Sequence, residues 1–244
     1  TGLRFWCDKI FSVIIHSKDQ GYYFNFKKYP DSEGVKEKFV LNSEAFATLS
    51  ELISTPGILW FIANAKFDMH MLYNEGCEFA GPIHCTEVGA RLVYNQHFKY
   101  DLASQAKRVG KHKIDEVAEY ISKNKLITTR EEYGKEWKYK HYDRVPFMLI
   151  YEYGLMDAKL VYELGLQQIA ELRAACEDTP SHEKPVRDVY HVERKVTKAM
   201  WRAERNGIRI DPVFCEEAID YELALAQEAK REFAQLTGMP FVDS

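Results

Sequence analysis

Apolar residues change their period along the chain, and each change marks an element. Ile10 to His16 is an almost continuous apolar run and predicts a buried strand. Gly21 to Lys27 alternates Tyr22, Phe24 and Phe26 with Tyr23 and Asn25 and predicts a second strand. Residues 28–40 form a charged connection with Pro30 and Gly34. Ser43 is placed to cap a helix running to about Ile53, stopped by Pro56-Gly57. Ile58 to Ala63 is apolar throughout and bounded by turn signals, as a strand buried on both faces requires.

Phe67 to Tyr73 reads as a helix closed by Gly76, and Pro82 to Thr86 as a short strand leading into a helix through Val88, Leu92 and Val93. Asp101 caps a helix with Leu102, Ala106 and Val109 on one face, ended by Gly110, and Ile114 to Ile121 is helical. Ser122 to Pro146 is polar and reads as a mobile loop. Phe147 to about Ala175 is a helix with Met156, Leu160 and Leu164 at i, i+4 and i+8. Glu177 to Pro185 marks a boundary. Val186 to Asn206 is a helix with Val189, Val196, Met200 and Ala203 near one face and Gly207 at its C′ position. Asp211-Pro212 begins a last helix that reaches about Thr237. The order predicts an α/β domain with a mixed sheet, followed by helices that cannot close a core alone.

Hydrophobic residues at 46% supply a sizeable core, and no run of about 18 apolar residues exists to span a membrane. Five cysteines without a Cys-x-x-Cys pair suit a reducing compartment and give no zinc-ligand spacing, even where Cys85 follows His84. Thr1 is not an initiating Met, and no signal peptide follows it. The net charge of −4 is uneven: Ser181 to Ile210 holds eight basic residues against four acidic ones, a local balance of +4. A second basic cluster is Lys107, Arg108, Lys111 and Lys113. Solvated helix faces and phosphate-contacting faces both fit such clusters.

Tyr153 and Asp157 stand four apart, on one face of the long helix. A carboxylate there can hold a divalent cation while the phenol hydrogen-bonds an attacking water. A phenol of pKa about 10 is a weak base at neutral pH, so the cation must carry most of the deprotonation. Asn64 and Asp68 follow a buried strand, at the kind of strand end where α/β folds bind ligands. Structural readings stand beside these: Asn64 as a helix cap, Asp68 as a solvated helix residue, and Tyr153 as a core aromatic.

Thr1-Gly2-Leu3, Asn64-Ala65-Lys66-Phe67-Asp68 and Tyr153-Gly154-Leu155-Met156-Asp157, in that order, resemble the three motifs of the proofreading 3′-5′ exonuclease domain of family A (DNA polymerase I-like) DNA polymerases. Glu193 to Val196, continuing through Ala203 to Asp211 with its Gly207-Ile208-Arg209-Ile210-Asp211 ending, resembles the segment joining exonuclease to polymerase in that family. The resemblance covers essentially the whole chain. It implies a ribonuclease H-like (DnaQ-like) exonuclease fold over residues 1–178 and the start of a polymerase domain over 186–244. Glu152 stands where the histidine subclass carries its His, so the tyrosine subclass is implied. Asp68 and Asp157 would associate with two Mg²⁺ or Mn²⁺ ions, Tyr153 would orient the water, Asn64 would contact the substrate strand near its 3′ end, and Leu3 would wedge against the terminal bases. For Leu3 a plain core position is the competing reading.

The first motif's Asp and Glu would fall four and two residues before Thr1, so the chain as given is expected to be inactive. The implied partners are single-stranded DNA or a frayed primer 3′ end and the remainder of the polymerase chain, with no membrane, in the cytoplasm of a bacterium or a virus-infected cell. Two alternatives remain: a free-standing exonuclease on DNA or RNA, which the basic helix and its Gly-Ile-Arg-Ile-Asp ending oppose, and a catalytically silent scaffold, which the four site residues in family order oppose.

Overall fold

A computed structural model describes residues 10–26, 43–97, 99–112, 116–132, 135–177 and 186–241. Thr1-Gly2-Leu3, the connection 28–40 and most of the 177–185 boundary lie outside the described residues. β1 (Ser12–Ser17) and β2 (Gln20–Asn25) form an antiparallel hairpin with Val13 opposite Phe24 and Ile15 opposite Tyr22. α1 (Ser43–Ile53) follows. β3 (Trp60–Ile62) leads into α2 (Ala65–Asn74), and β4 (Ile83–Cys85) into α3 (Thr86–Val93). β3 and β4 are parallel, pairing Phe61 with His84 and Ile62 with Cys85. α4 (Leu102–Arg108) is capped by Asp101, whose carboxylate accepts from Ser104 N at 3.0 Å. α5 (Glu116–Lys123) comes next.

The protein is α/β, but the expected single mixed sheet is three two-stranded ladders among the described residues. β3 and β4 are only three residues long and offer few ladder bonds, so packing on helices holds the pieces. The segment 122–146 is not the expected loop. β5 (Ile127–Glu132) and β6 (Lys135–Lys140) form an antiparallel hairpin with Thr128 opposite Tyr139 and Thr129 opposite Lys138, followed by a 3₁₀ turn at Tyr142–Arg144. Its β-branched threonines favour extended backbone. Its described side chains are mostly exposed, so no apolar stripe betrays it in the sequence.

α6 (Phe147–Glu177) is the 31-residue spine. Its buried positions include Ile150, Gly154, Leu164, Gly165 and Gln168. Met156 is exposed and not on the buried face as expected: at 3.6 residues per turn it falls outside the arc that these positions define. Gly154 lets α6 approach β1, since a Cβ there would stand 3.0 Å from Ile14 Cγ1. Gly165 does the same at β3, where a Cβ would stand 2.2 Å from Phe61 Cδ1. The helix thus lies across both the hairpin and the parallel pair.

α7 (Val186–Asn206) docks through Tyr190 and Trp201, both buried, and not through the aliphatic stripe. Val189, Val196 and Met200 are exposed. The docked face carries Arg194, Lys198, Glu204 and Arg205, whose long stems cover apolar surface while their heads find partners. Arg194 Nε donates to Ile83 O at 2.9 Å, and Arg205 donates to Asn74 Oδ1 at 2.9 Å while its guanidinium lies over the Tyr73 ring. Trp201 completes a core with Leu49, Ile53, Met69, Leu72 and Phe79. A second core joins Val117, Ile121, Val145 and Ile150.

Contacts divide the chain into two units, through Arg205 and from Asn206. The second is dominated by α8 (Pro212–Thr237). Asp211 caps it by accepting from Val213 N and Phe214 N, and Gly238 ends it at φ 68°. Among the described residues no helix is long and apolar enough to cross a membrane.

Gly165→Ala is expected to cost about 1–3 kcal/mol, because the Phe61 ring must shift and a packed core resists added volume. That outweighs the helix-propensity gain of about 1 kcal/mol. Thermal unfolding of the variant and the wild type measures it.

Candidate functional site

The local fold at the end of β3 is set by short-range bonds. Trp60 N donates to Pro82 O at 2.9 Å, and Glu87 N to Ala63 O at 3.3 Å, so the parallel pair ends with two helices leaving side by side. The chain turns at Asn64 directly into α2. Phe67 N donates to Asn64 O at 3.0 Å, but the Asn64 side chain makes no capping bond and is exposed. The capping reading of Asn64 therefore fails: its backbone starts the helix and its amide is left facing outward.

Asp68 sits one turn further on, among the buried Ala65, Met69, His70, Met71 and Leu72. It is not solvated. Burial raises its pKa to about 7, opposed only by a hydrogen bond from its own backbone N–H. A carboxylate this poorly hydrated is destabilised as an anion unless a cation joins it.

α2 is clamped through the helical face opposite Asp68, where Lys66 and His70 stand four apart. Lys66 Nζ reaches Glu204 Oε1 at 2.5 Å, and His70 Nε2 donates to Glu204 Oε2 at 2.8 Å. Burial works to raise the Glu204 pKa, but the bonds from His70 and Lys66 outweigh it and hold the carboxylate below its usual range. Residues 66 and 70 flank Asp68 on the helix, so a carboxylate of α7 fixes the helix that carries it.

Tyr153 and Asp157 lie on successive turns of α6. Tyr153 packs against the Val117–Ile121–Val145–Ile150 core. Asp157 is half-buried and falls within the arc of buried residues between Gly154 and Leu164. Both pairs are therefore placed as the sequence spacing implies. Leu3 lies outside the described residues. Among the described residues no three Asp, Glu, His or Cys side chains gather as a metal-holding group.

A buried polar network, not foreseen from sequence, ties the elements together. His84 on β4 is fully buried. Gln168 Nε2 donates to Thr86 O at 3.1 Å and Gln105 Oε1 at 3.0 Å, so its Oε1 accepts from His84 Nε2–H at 2.8 Å. Tyr190 O–H then donates to His84 Nδ1 at 2.7 Å. Desolvation lowers the His84 pKa and Arg194 lowers it further, against the bond to Gln168, which keeps the ring neutral. Gly89 is required beside it: a Cβ there would meet Gln168 Oε1 at 2.5 Å. With both ring nitrogens engaged and Cys85 Sγ on Ala63 O, the His84-Cys85 pair serves packing. The signal for this network was a lone His inside an apolar strand.

In the Lys107–Lys113 cluster, two of the cations are taken up by the protein itself. Arg108 lies over the rings of Tyr94 and Tyr100 and donates to Lys99 O, and Lys111 pairs with Glu163.

Residues 12–170 match the family model of the 3′-5′ exonuclease, a span that includes Asn64, Asp68, Tyr153 and Asp157. The chain is 24% identical over 252 aligned residues to a DNA polymerase, DpoZ, of Vibrio phage phiVC8, which covers 99% of this chain and 36% of that protein. It is 27% identical over 150 residues to DNA polymerase DpoZ of Acinetobacter phage SH-Ab 15497, covering 61% of this chain and 22% of that one. The chain thus spans only about a third of the length of the first of these relatives.

Asp68 sets a pH dependence with a definite sign. Its folded pKa is raised above 3.8, so between about pH 4 and pH 7 the folded state binds more protons than the unfolded one, and stability falls as pH rises. Asp68→Asn, in chelator, is expected to match the wild type near pH 4 and to exceed it by roughly 1–3 kcal/mol at pH 8. Denaturant unfolding at the two pH values reads the difference.

Proposed function

The chain belongs to the 3′-5′ exonuclease domain family of the DNA polymerase A type, and from that premise we propose that it removes mispaired 3′-terminal nucleotides from DNA as the proofreading part of a DNA-directed DNA polymerase. In this reading residues 1–178 adopt the ribonuclease H-like fold of the tyrosine subclass, and 186–244 begin the polymerase region. Support comes from the match over 12–170 and from the full-length alignment to a phage polymerase.

The observation that carries the proposal is the half-buried Asp68 carboxyl, whose pKa desolvation pushes up to about 7, one helical turn after an uncommitted Asn64 amide at the carboxyl end of β3. That donor fits Mg²⁺ or Mn²⁺, which prefer hard oxygen ligands and would relieve the cost of a buried anion. Asp68 and Asp157 would hold the ions together with the Asp-x-Glu pair that the family carries before Thr1. When bound, two such ions lower the pKa of the attacking water and neutralise the charge that develops on the leaving oxygen.

The remaining roles belong to side chains of this chain. The Tyr153 phenol, one turn before Asp157, would hydrogen-bond the attacking water and aim it at the terminal phosphorus. The Asn64 amide would hold the strand near its 3′ end, with Leu3 wedged against the last bases. Glu204, through Lys66 and His70, would keep α2 in place. The substrate would be single-stranded DNA or a frayed primer end.

The experiment is 3′-nucleotide release from end-labelled single-stranded DNA by the intact protein in Mg²⁺. Asp157→Ala is expected to lower kcat by more than about 10²-fold and Tyr153→Phe by about 10–10²-fold with KM little changed. Release unaffected by either substitution would overturn the assignment.

A further inference from the structure

A cleft of about 240 Å³ opens along α7, against β4 and the start of α3. Its floor is apolar, with Met69, Pro82, Ile83 and Val88. Its α7 side is cationic: Arg194, Lys195 and Lys198 line it, together with His191 and Thr197. Among the described residues no carboxylate lines it.

These cations are not neutralised by the fold. Among the described residues Arg194, Lys195 and Lys198 make no ion pair. Arg194 hydrogen-bonds through Nε, to Ile83 O, and its guanidinium lies over the Tyr190 ring, which fixes the guanidinium and leaves its terminal N–H groups without hydrogen bonds among the described residues. Lys198 reaches only Phe79 O, at 3.4 Å. Neighbouring Arg202 stands 3.9 Å from the Glu78 carboxylate, whereas none of the three cleft cations reaches a carboxylate among the described residues. Three like charges on one helical face repel each other, and an anion between them would remove that repulsion. A fixed guanidinium flanked by two ammonium groups matches the oxygens of a phosphate, which accept both bidentate and point-charge contacts.

We propose that this cleft is a nucleotide-phosphate site separate from the exonuclease residues, with Arg194 as the forked donor, Lys195 and Lys198 as flanking charges, and the apolar floor receiving sugar or base. None of Asn64, Asp68, Tyr153 and Asp157 lines it. The phosphate could come from a free 5′-mononucleotide or from a strand backbone. The choice of a nucleotide over other phosphates rests on the exonuclease reading, whereas phosphate recognition stands on the cleft alone.

The test is an NMR titration of the intact protein with orthophosphate, thymidine 5′-monophosphate and a short oligothymidylate, following the backbone amides of α7. Saturable shifts at His191, Lys195 and Thr197 are expected. Thr197→Glu places a carboxylate in the cleft and should weaken binding at least about tenfold. Thr197→Val, which adds no charge, should leave it unchanged, and Lys195→Gln, an exposed change, should weaken it severalfold. Asp68→Asn should titrate as wild type. Tighter binding of the mononucleotide identifies the free nucleotide as the source, and tighter binding of the oligomer identifies the strand. No saturable shift in α7 with any of the three, or shifts indifferent to Thr197→Glu and Lys195→Gln, would overturn the proposal. Phosphate binding here without 3′-nucleotide release would leave the cleft standing and remove the exonuclease reading instead.

Discussion

Holding the half-buried Asp68 carboxyl where desolvation raises its pKa costs free energy that the rest of the first unit must offset. α2 is short, and most of its first two turns are buried. A helix carrying a poorly hydrated carboxylate gains from being held on several sides, and this one is. Lys66 and His70 both grip Glu204 of α7, Met69 and Leu72 enter the core with Trp201, and Arg205 caps the far end through Asn74 and Tyr73. A buried polar group is tolerated when its surroundings are fixed by other contacts, and such groups cluster at functional sites.

α7 is therefore part of the site's support, although no proposed catalytic residue lies on it. Its docking is polar as much as apolar. Tyr190 closes the hydrogen-bond chain His84–Gln168–Gln105, which runs from β4 through α6 to α4. Each atom of such a chain has one assignable role, and loss of one partner strands the next in a dry interior. The same helix pairs or hydrogen-bonds most of its basic residues on the docked face and leaves Arg194, Lys195 and Lys198 without carboxylates along the cleft. The local +4 balance thus serves docking and, in the phosphate-site proposal, anion binding.

Much of this was legible in the sequence because local rules governed it. The Asp101 and Asp211 caps, the stops at Gly110 and Gly238 and the apolar run into Asn64 fell where turn and cap chemistry placed them. The spacing of Tyr153 and Asp157 on one helix was equally plain. What failed depended on neighbours. The described side chains of the β5–β6 hairpin are mostly exposed and set up no apolar period. On α7 the valine and methionine stripe looked like the docking face, but tertiary contacts chose Tyr190 and Trp201, with arginine and lysine stems doing the covering. Asn64 looked like a cap by residue type, yet its side chain does not cap. The partial burial of Asp68 could not be read at all, because desolvation is set by tertiary packing and not by the local sequence.

The ionisation of Asp68 is the most direct test of the account. A ¹³C titration of its carboxyl carbon, in chelator and then in saturating Mg²⁺, should give a midpoint near pH 7 without the ion and a clearly lower one with it. A midpoint near the ordinary aspartate value of about 3.9 in chelator, unmoved by Mg²⁺, would contradict both the buried carboxylate and the cation site built on it.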